Sequence, residues 1–330
     1  MADALWSARV ATFTTLDDDD ARAIADAMQL GALDSWRPIA AGTINSNFTF
    51  LTARGRFFVR VNEGKTRDDV AWEAELVAHV AAAGVPTPVP LPAPGGLRFL
   101  DHRGLLISVF VWQPGHHRAP HQVTTDSARG LGEVLADLHT AAATRPPSTW
   151  REGIYQFADI VRRFDGLRGN TDPALAHALA VLDEELAWLE RMAPVRAAAS
   201  HGLIHGDLFR DNVLFDNGHL VAVLDFEQAS RGSHIYDLAV TLNDWCWDAA
   251  PRRELAHALC AGYASRRPLT AADRAALLVE LRAAAARFTV TRITDVYLRQ
   301  VDNPEKDFRA FLARLEAWRA GALGDLSSSV

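Results

Sequence analysis

The sequence predicts an α+β fold in two lobes: a small, antiparallel, β-rich lobe with one long helix, then a larger, mostly helical lobe. Two changes of pattern carry that reading. Between residues 36 and 112 apolar side chains alternate with polar ones, while from residue 125 onward they recur every three or four positions. The switch falls in a stretch, 113–125, that holds Pro114, Gly115 and Pro120, residues that interrupt regular structure. Length agrees, since 330 residues exceed what one hydrophobic core usually organises. A first domain is placed at 1–112 and a second at 113–330.

The elements follow in order. A leading helix is expected over 15–29, with Thr15 as N-cap and Gly31 as stop. Asp17 to Asp20 fall in its first turn, where negative charge suits the helix dipole, and the run lacks the Gly and closing Glu of a calcium loop. Strands are expected over 36–41, 47–53 and 56–62, the last two joined at Arg54-Gly55. A helix over 66–83 ends at Gly84, before Pro86 and Pro88. Two more strands, 97–102 and 104–112, complete the small lobe. The linker carries His116, His117, Arg118 and His121. His117 and His121 have the spacing of a helical metal pair, but Pro120 opposes a helix there, so a solvated linker is expected. In the second lobe Leu175, Leu179, Leu182, Leu186 and Leu189 mark the core face of a helix opened by Asp172-Pro173. Helices are also expected over 235–247, 251–264, 271–299 and 304–320.

Composition excludes several classes of function. The chain is 49% apolar and 23% charged with a net charge of −7, which gives no electrostatic basis for binding nucleic acid or an anionic membrane. Cys246 and Cys260 lie in helix-like segments, and a reduced cytoplasmic setting is expected. Residues 1–10 lack the features of a signal peptide. The most apolar stretch, 275–290, is interrupted by Glu280, Arg282 and Arg287, so no membrane span is expected.

The chemistry concentrates in 201–227. Asp207 follows His205 by two positions, Asn212 follows Asp207 by five, and Asp225 follows Asn212 by thirteen. Strands over 213–215 and 219–224, around Asp216-Asn217-Gly218, read as a hairpin. A hairpin folds its two ends together, so the oxygens of Asn212 and Asp225 converge on one point, as suits Mg²⁺ held with nucleotide phosphates. Asp207, one loop away, is placed to orient a hydroxyl and accept its proton. The order H-x-D-L-x-x-x-N followed by D-F is the protein-kinase arrangement, with Gly206 where kinases carry Arg and Glu227 where they carry Gly.

The nucleotide end is written more weakly. Residues 41–47 offer Gly42 as the one glycine for a phosphate-covering loop, with Asn45, Ser46 and Asn47 as further donors. An Asn-rich β-turn accounts for the same residues equally well. Arg60 is the basic residue of the third strand, where kinases use Lys to hold the α- and β-phosphates. Its expected partner on the following helix is Glu73 rather than Glu75. Val109 and Val111, on the last strand of the lobe, complete the nucleotide set.

With these residues in hand, the chain resembles the aminoglycoside phosphotransferase and choline kinase family, small-molecule kinases of protein-kinase-like fold. Within it the chain is most similar to the kinase-like type of homoserine kinase. The stretches that carry the resemblance are 39–48, 202–213, 236–247 and the short 291–295. It implies ATP and Mg²⁺, Asp207 as catalytic base, Asn212 and Asp225 as metal ligands, and Asp237 as a structural brace of the catalytic loop. Arg60 replaces the more usual Lys. Glu227 stands where such homoserine kinases tend to have an aromatic, which makes the D-F-E run look more like choline kinases.

Two acceptor classes compete. A homoserine acceptor has a carboxylate, which Arg292 would bind, with Asp295 at i+3 as its possible partner instead. An acceptor such as choline, ethanolamine, another amino alcohol or an aminoglycoside would use Glu227, Trp245 and Trp247 as a cationic pocket. Helix packing is the plain alternative for the tryptophans. A protein kinase is disfavoured because the helix from Ile235 begins soon after Asp225, leaving little room for an activation segment. A nucleotide-binding pseudoenzyme is disfavoured by the intact Asp207, Asn212 and Asp225.

Overall fold

The computed structural model describes residues 14–39 and 45–322. The chain divides into two compact units, one ending at Pro114 and the other beginning at Gly115.

In the first unit, α1 (Asp18–Ala27) is capped by Asp17, not Thr15. The Asp17 carboxylate accepts from Asp20 N–H at 2.7 Å, and the Asp20 carboxylate accepts from Asp17 N–H at 3.4 Å. The aspartate run therefore closes a reciprocal cap, with a carboxylate at each end of the turn. Strands β1 (Leu33–Ile39), β2 (Ser46–Thr52) and β3 (Gly55–Val61) are followed by α2 (Arg67–Ala82), β4 (Leu100–His102) and β5 (Leu105–Val111). They form one antiparallel sheet in the order β1-β2-β3-β5-β4. Strand alternation sorts its two faces. Phe48, Phe50, Val59, Ile107 and Val109 pack with Ile24 of α1 and with Met28, its C-cap. The opposite face presents Asn47, Arg60 and Ser108, which are register neighbours across β2, β3 and β5.

The second unit holds α3 (Thr125–Ala142), α4 (Phe157–Asp165), α5 (Ala176–Arg191), α6 (Ala193–Ala198), β6 (His201–Ile204), β7 (Val213–Asp216), β8 (His219–Val223) and β9 (Ser230–Ser233). Four helices follow: α7 (His234–Trp245), α8 (Arg253–Arg266), α9 (Ala271–Arg292) and α10 (Phe308–Arg319). β7 and β8 form the expected hairpin, turning at Asn217 and Gly218, both with positive φ (46° and 86°). β6 pairs with β9 as a separate antiparallel ribbon that the sequence pattern did not indicate. α9 stops at Arg292 and passes into a π-helical turn, Ile293–Tyr297, where a continuous helix to residue 299 was expected.

Two helices approach unusually closely. A Cβ at Gly132 of α3 would lie 2.1 Å from Leu259 O, and one at Gly262 of α8 would lie 2.1 Å from Arg129 O. Only glycine fits at either position.

The segment expected to be a solvated linker is exposed at His116, His117 and His121, as expected, and also runs along β7. His116 and Phe215 exchange both backbone hydrogen bonds, at 2.8 and 3.0 Å. His117 donates from Nδ1 to Val213 O at 3.1 Å, and the Arg118 guanidinium sits 4.4 Å from the centre of the Phe215 ring. Among the described residues, no group of three or more His, Cys, Asp or Glu is placed to hold a metal. No helix among them is long and apolar enough to cross a membrane.

Candidate active site

The loop 205–212 is held from below by one face of α7. Asp237 accepts from His205 N–H at 2.7 Å and from Gly206 N–H at 2.8 Å. Its Oδ2 also accepts from His139 Nε2 at 2.9 Å, and His139 Nδ1 in turn accepts from the Tyr263 hydroxyl at 2.8 Å. Burial works to raise the Asp237 pKa, but the hydrogen bonds from His139 and from the Gly206 N–H outweigh it and hold the carboxylate below its usual range. Burial lowers the pKa of His139, so the ring is neutral and has one donor and one acceptor, which matches its two partners. Two turns further along α7, Asp244 accepts from the Arg210 N–H at 2.8 Å and takes the guanidinium on both oxygens, at 2.9 and 3.1 Å. Trp245 donates its indole N–H to Leu208 O at 3.1 Å. Asp237, Asp244 and Trp245 thus fix four successive points of the loop.

Gly206 has φ of +80°, and a Cβ there would lie 3.1 Å from Gln228 O. An Arg in this place would be strained, which accounts for the departure from the H-R-D pattern.

Asn212 and Asp225 are brought together as the hairpin predicts. Leu224 N–H donates to Asn212 O at 2.8 Å, which closes the hairpin at its open end. The Asn212 amide nitrogen donates to Asp207 O at 2.8 Å, so the carbonyl oxygen is the atom left to face outward. Asp225 is exposed and has φ of +61°, an uncommon conformation for a non-glycine residue. Such strain concentrates where a side chain must be aimed. Two hard oxygen donors and no thiol or imidazole suit Mg²⁺, which fills its remaining positions with water and substrate phosphates. His205 ties the two halves of the site: Nε2 donates to Leu224 O at 2.9 Å and Nδ1 accepts from Asp207 N–H at 3.3 Å.

The Asp207 carboxylate has two neighbours that the sequence reading missed. Gln228 donates its amide N–H to Oδ2 at 3.0 Å and accepts from Arg287 Nη2 at 2.6 Å. Arg287 Nη1 lies 3.8 Å from Asp207 Oδ1. Burial raises the pKa of Asp207, and the Arg287 charge opposes that rise. Gly206, Gln228 and Arg287 line a cavity of about 400 Å³ with Tyr155, Tyr236 and Ser230. The available signal for Arg287 was its place in the apolar stretch 275–290. Of the three charges there, Glu280 pairs with Arg196 at 3.0 Å and Arg282 with Glu185 at 2.6 Å. Arg287 alone is directed at Asp207.

In the first unit, Arg60 Nη2 donates to Glu73 Oε1 at 2.8 Å, and both residues are buried. The other nucleotide candidates separate by face. Asn47 lies opposite Arg60 in the register. Ser46 donates to Glu63 Oε1 at 2.7 Å and Asn45 accepts from Glu63 N–H at 3.1 Å, so both tie the start of β2 to the end of β3. Val109 is fully buried in the core with α1, on the face away from Arg60, and Val111 shares its parity. Neither valine accompanies Arg60, because strand neighbours two apart point the same way; Ser108 is the residue on that side. Gly42 lies outside the described residues.

A family sequence pattern, that of the "Phosphotransferase enzyme family", matches residues 35–269. The chain belongs to this family. The phosphotransferase is 32% identical over 291 residues to a homoserine kinase of Caulobacter vibrioides, covering 87% of this chain and 90% of that one. It is 34% identical over 330 residues to a homoserine kinase of Gluconacetobacter diazotrophicus, covering 94% and 97%. Its fold matches that of a microcompartment-associated aminopropanol kinase, with a TM-score of 0.68 at 21% identity over 94% of this chain and 98% of that one. An amicoumacin kinase in complex with AMP-PNP and Ca²⁺ matches with a TM-score of 0.68 at 14% identity, covering 94% of each chain. The phosphotransferase therefore has the kinase-like α+β fold and is an ATP-dependent enzyme that transfers phosphoryl to a hydroxyl of a small molecule.

The acceptor candidates fare unequally. Trp245 is fully buried with its N–H bound to Leu208 O, so it supports the loop and cannot touch an acceptor. Trp247 packs edge-on against Trp318. Asp295 pairs with Arg163 at 2.7 Å and not with Arg292. Arg292 donates to Asp307 O at 3.1 Å and lies 4.4 Å from the centre of the Phe311 ring, outside the residues lining the Arg287 cavity. Burial lowers its pKa to about 10. An i+3 relation puts two residues on one helix face only while the helix lasts, and here it changes pitch after Arg292. Glu227 is half-buried, and its N–H donates to Asp225 Oδ1 at 3.3 Å.

Proposed function

We propose that the protein is an ATP:homoserine phosphotransferase that works with Mg²⁺ in a cytoplasmic setting. The observation that carries the acceptor is Arg287, a buried cation 3.8 Å from Asp207 that lines a cavity of about 400 Å³, wide enough for a small-molecule acceptor. A cation there disfavours an acceptor whose only charge is positive, such as choline or ethanolamine, and Trp245, buried against the catalytic loop, is withdrawn from any acceptor pocket. Likeness to homoserine kinases over most of the chain supports the same choice. The two free, buried cysteines fit a reducing compartment.

Each residue has a role in this reading. Asp207 accepts a hydrogen bond from the acceptor hydroxyl, orients its lone pair towards the γ-phosphorus and takes its proton as the bond forms. Gln228 holds the carboxylate by one oxygen, leaving the other for the hydroxyl. Arg60, braced by Glu73, contacts the α- and β-phosphates, with Asn47 and Ser108 as its register neighbours on the same face. Asn212 and Asp225 hold Mg²⁺, which when bound neutralises charge on the phosphates. Glu227 remains a candidate for the acceptor ammonium. ADP release measured over a panel of homoserine, threonine, serine, choline, ethanolamine and aminoglycosides tests the proposal. Homoserine should give the highest kcat/KM, and a preference for any amino alcohol or aminoglycoside would refute it.

A further inference from the structure

We infer that Arg287 is the anchor for the acceptor's carboxylate and so restricts the enzyme to short hydroxyl-bearing amino acids. The inference rests on the homoserine reading and names the residue and the size limit that go with it.

Arg287 is 4% exposed, yet its Nε and Nη1 have no hydrogen-bond partner. A buried guanidinium leaves donors unsatisfied only at a cost, unless a ligand completes the set. The single bond it makes, from Nη2 to Gln228 Oε1 at 2.6 Å, fixes its plane. Tyr155 and Phe288 flank it, with ring centres 4.1 and 3.8 Å from the guanidinium carbon. The two other charges of the same apolar helix segment, Glu280 and Arg282, are matched by Arg196 and Glu185. Arg287 has no such acid within hydrogen-bond distance; Asp207 stands 3.8 Å away. A planar guanidinium that lines the cavity and keeps two buried N–H groups without a hydrogen-bond partner is suited to a carboxylate, which can take two parallel bonds.

The spacing sets the acceptor's length. The nearest atoms of base and anchor are 3.8 Å apart. With a hydrogen bond of about 2.8 Å at each end of that nearest pair, the hydroxyl and carboxylate oxygens lie within about 9.4 Å of each other. A hydroxyl separated from its carboxylate by a few carbons satisfies that limit, while a bulky polycyclic acceptor without a carboxylate gains nothing from Arg287.

The test compares homoserine with 2-amino-1,4-butanediol, which keeps the hydroxyl and ammonium but lacks the carboxylate. Full-length wild type, Arg287→Met and Arg287→Lys are assayed for kcat and KM with both acceptors and with ATP. Wild type should prefer homoserine by about 100-fold or more in kcat/KM. Arg287→Met should remove most of that preference through acceptor KM, with a much smaller loss on the diol and little change in ATP KM. Arg287→Lys, which keeps the charge and loses the fork, should fall between and decides the matter if the methionine variant does not fold. If wild type prefers homoserine and neither variant alters the preference, the functional reading stands and this inference falls. If wild type uses the diol but not homoserine, the functional reading falls and takes this inference with it. Equal losses on both acceptors would give Arg287 to the loop or the phosphoryl group and overturn the inference.

Discussion

Replacing Asp237 by Asn changes one oxygen for an NH₂ group and nothing in size. Asp237 Oδ2 receives two donors, His205 N–H and His139 Nε2–H, and Oδ1 receives Gly206 N–H. An amide can present its oxygen to one side only. If the oxygen keeps the Oδ2 place, its NH₂ meets Gly206 N–H at about 2.8 Å, and one buried donor is left unsatisfied at a cost of about 1–3 kcal/mol. The surviving bonds also lose their charge assistance, roughly half their strength. A total of about 2–4 kcal/mol follows. At about 2.1 cal/mol/K per residue, a 330-residue chain unfolding together has an entropy near 0.7 kcal/mol/K, so Tm should fall by about 3–6 °C. The displaced backbone is the one that carries Asp207, and a shift near 1 Å lowers kcat by about 100-fold. ATP KM should change little, because Asp237 makes no exposed contact. Differential scanning calorimetry and steady-state kinetics on the same preparation read both effects. A variant with wild-type Tm and kcat would refute the bracing argument, and a fall in Tm with kcat intact would show that the loop does not depend on it.

Asp207→Asn should lower the rate by about 10²–10⁴ while Tm stays level or rises, since it removes a carboxylate whose pKa burial has raised; near-normal turnover would refute its role as base. Asn212→Ala and Asp225→Ala should each weaken Mg²⁺-dependent ATP binding, the charged Asp225 more, as read by ATP titration with and without Mg²⁺; wild-type MgATP affinity in both would refute the metal assignment. Burial, with the Arg267 charge beside it, lowers the His234 pKa to about 2, well below its unfolded value near 6.5. The stability it contributes is therefore complete above about pH 6.5 and is lost on acidification, by about 2 kcal/mol between pH 7.5 and 5, with buried His139 acting in the same direction. Urea unfolding across that range checks the sign, and stability unchanged or increasing towards pH 5 would refute it.

Much of the second unit's site was legible because its residues are close in sequence. Asp207, Asn212 and Asp225 are joined by one loop and one hairpin, and the Asn217-Gly218 turn announces that hairpin. Arg60 and Glu73 pair as a strand followed directly by a helix suggests. The parts missed depend on packing between distant segments. Arg287 lies 80 residues after Asp207, and nothing local separates it from Arg282, which closes a buried ion pair. Trp245 reads equally as pocket wall or core, since an indole can serve either way until its N–H partner is known. Val109 was misplaced because alternation tells which residues share a face but not which face the core covers. β6 and β9 are four residues each, too short for a period to show.

α3 and α8 cross at Gly132 and Gly262. The spacing of this crossing is set by the hydrogen atoms that the two glycines carry in place of side chains. Tyr263, the residue after Gly262, begins the relay through His139 and Asp237 that ends on the backbone of His205 and Gly206. Anything that spreads the two helices, whether a single methyl group or mild heating, is transmitted along that relay to the loop bearing Asp207. Turnover should then decline at temperatures where the helices are still intact, and curves of thermal inactivation and of helix melting will not superimpose.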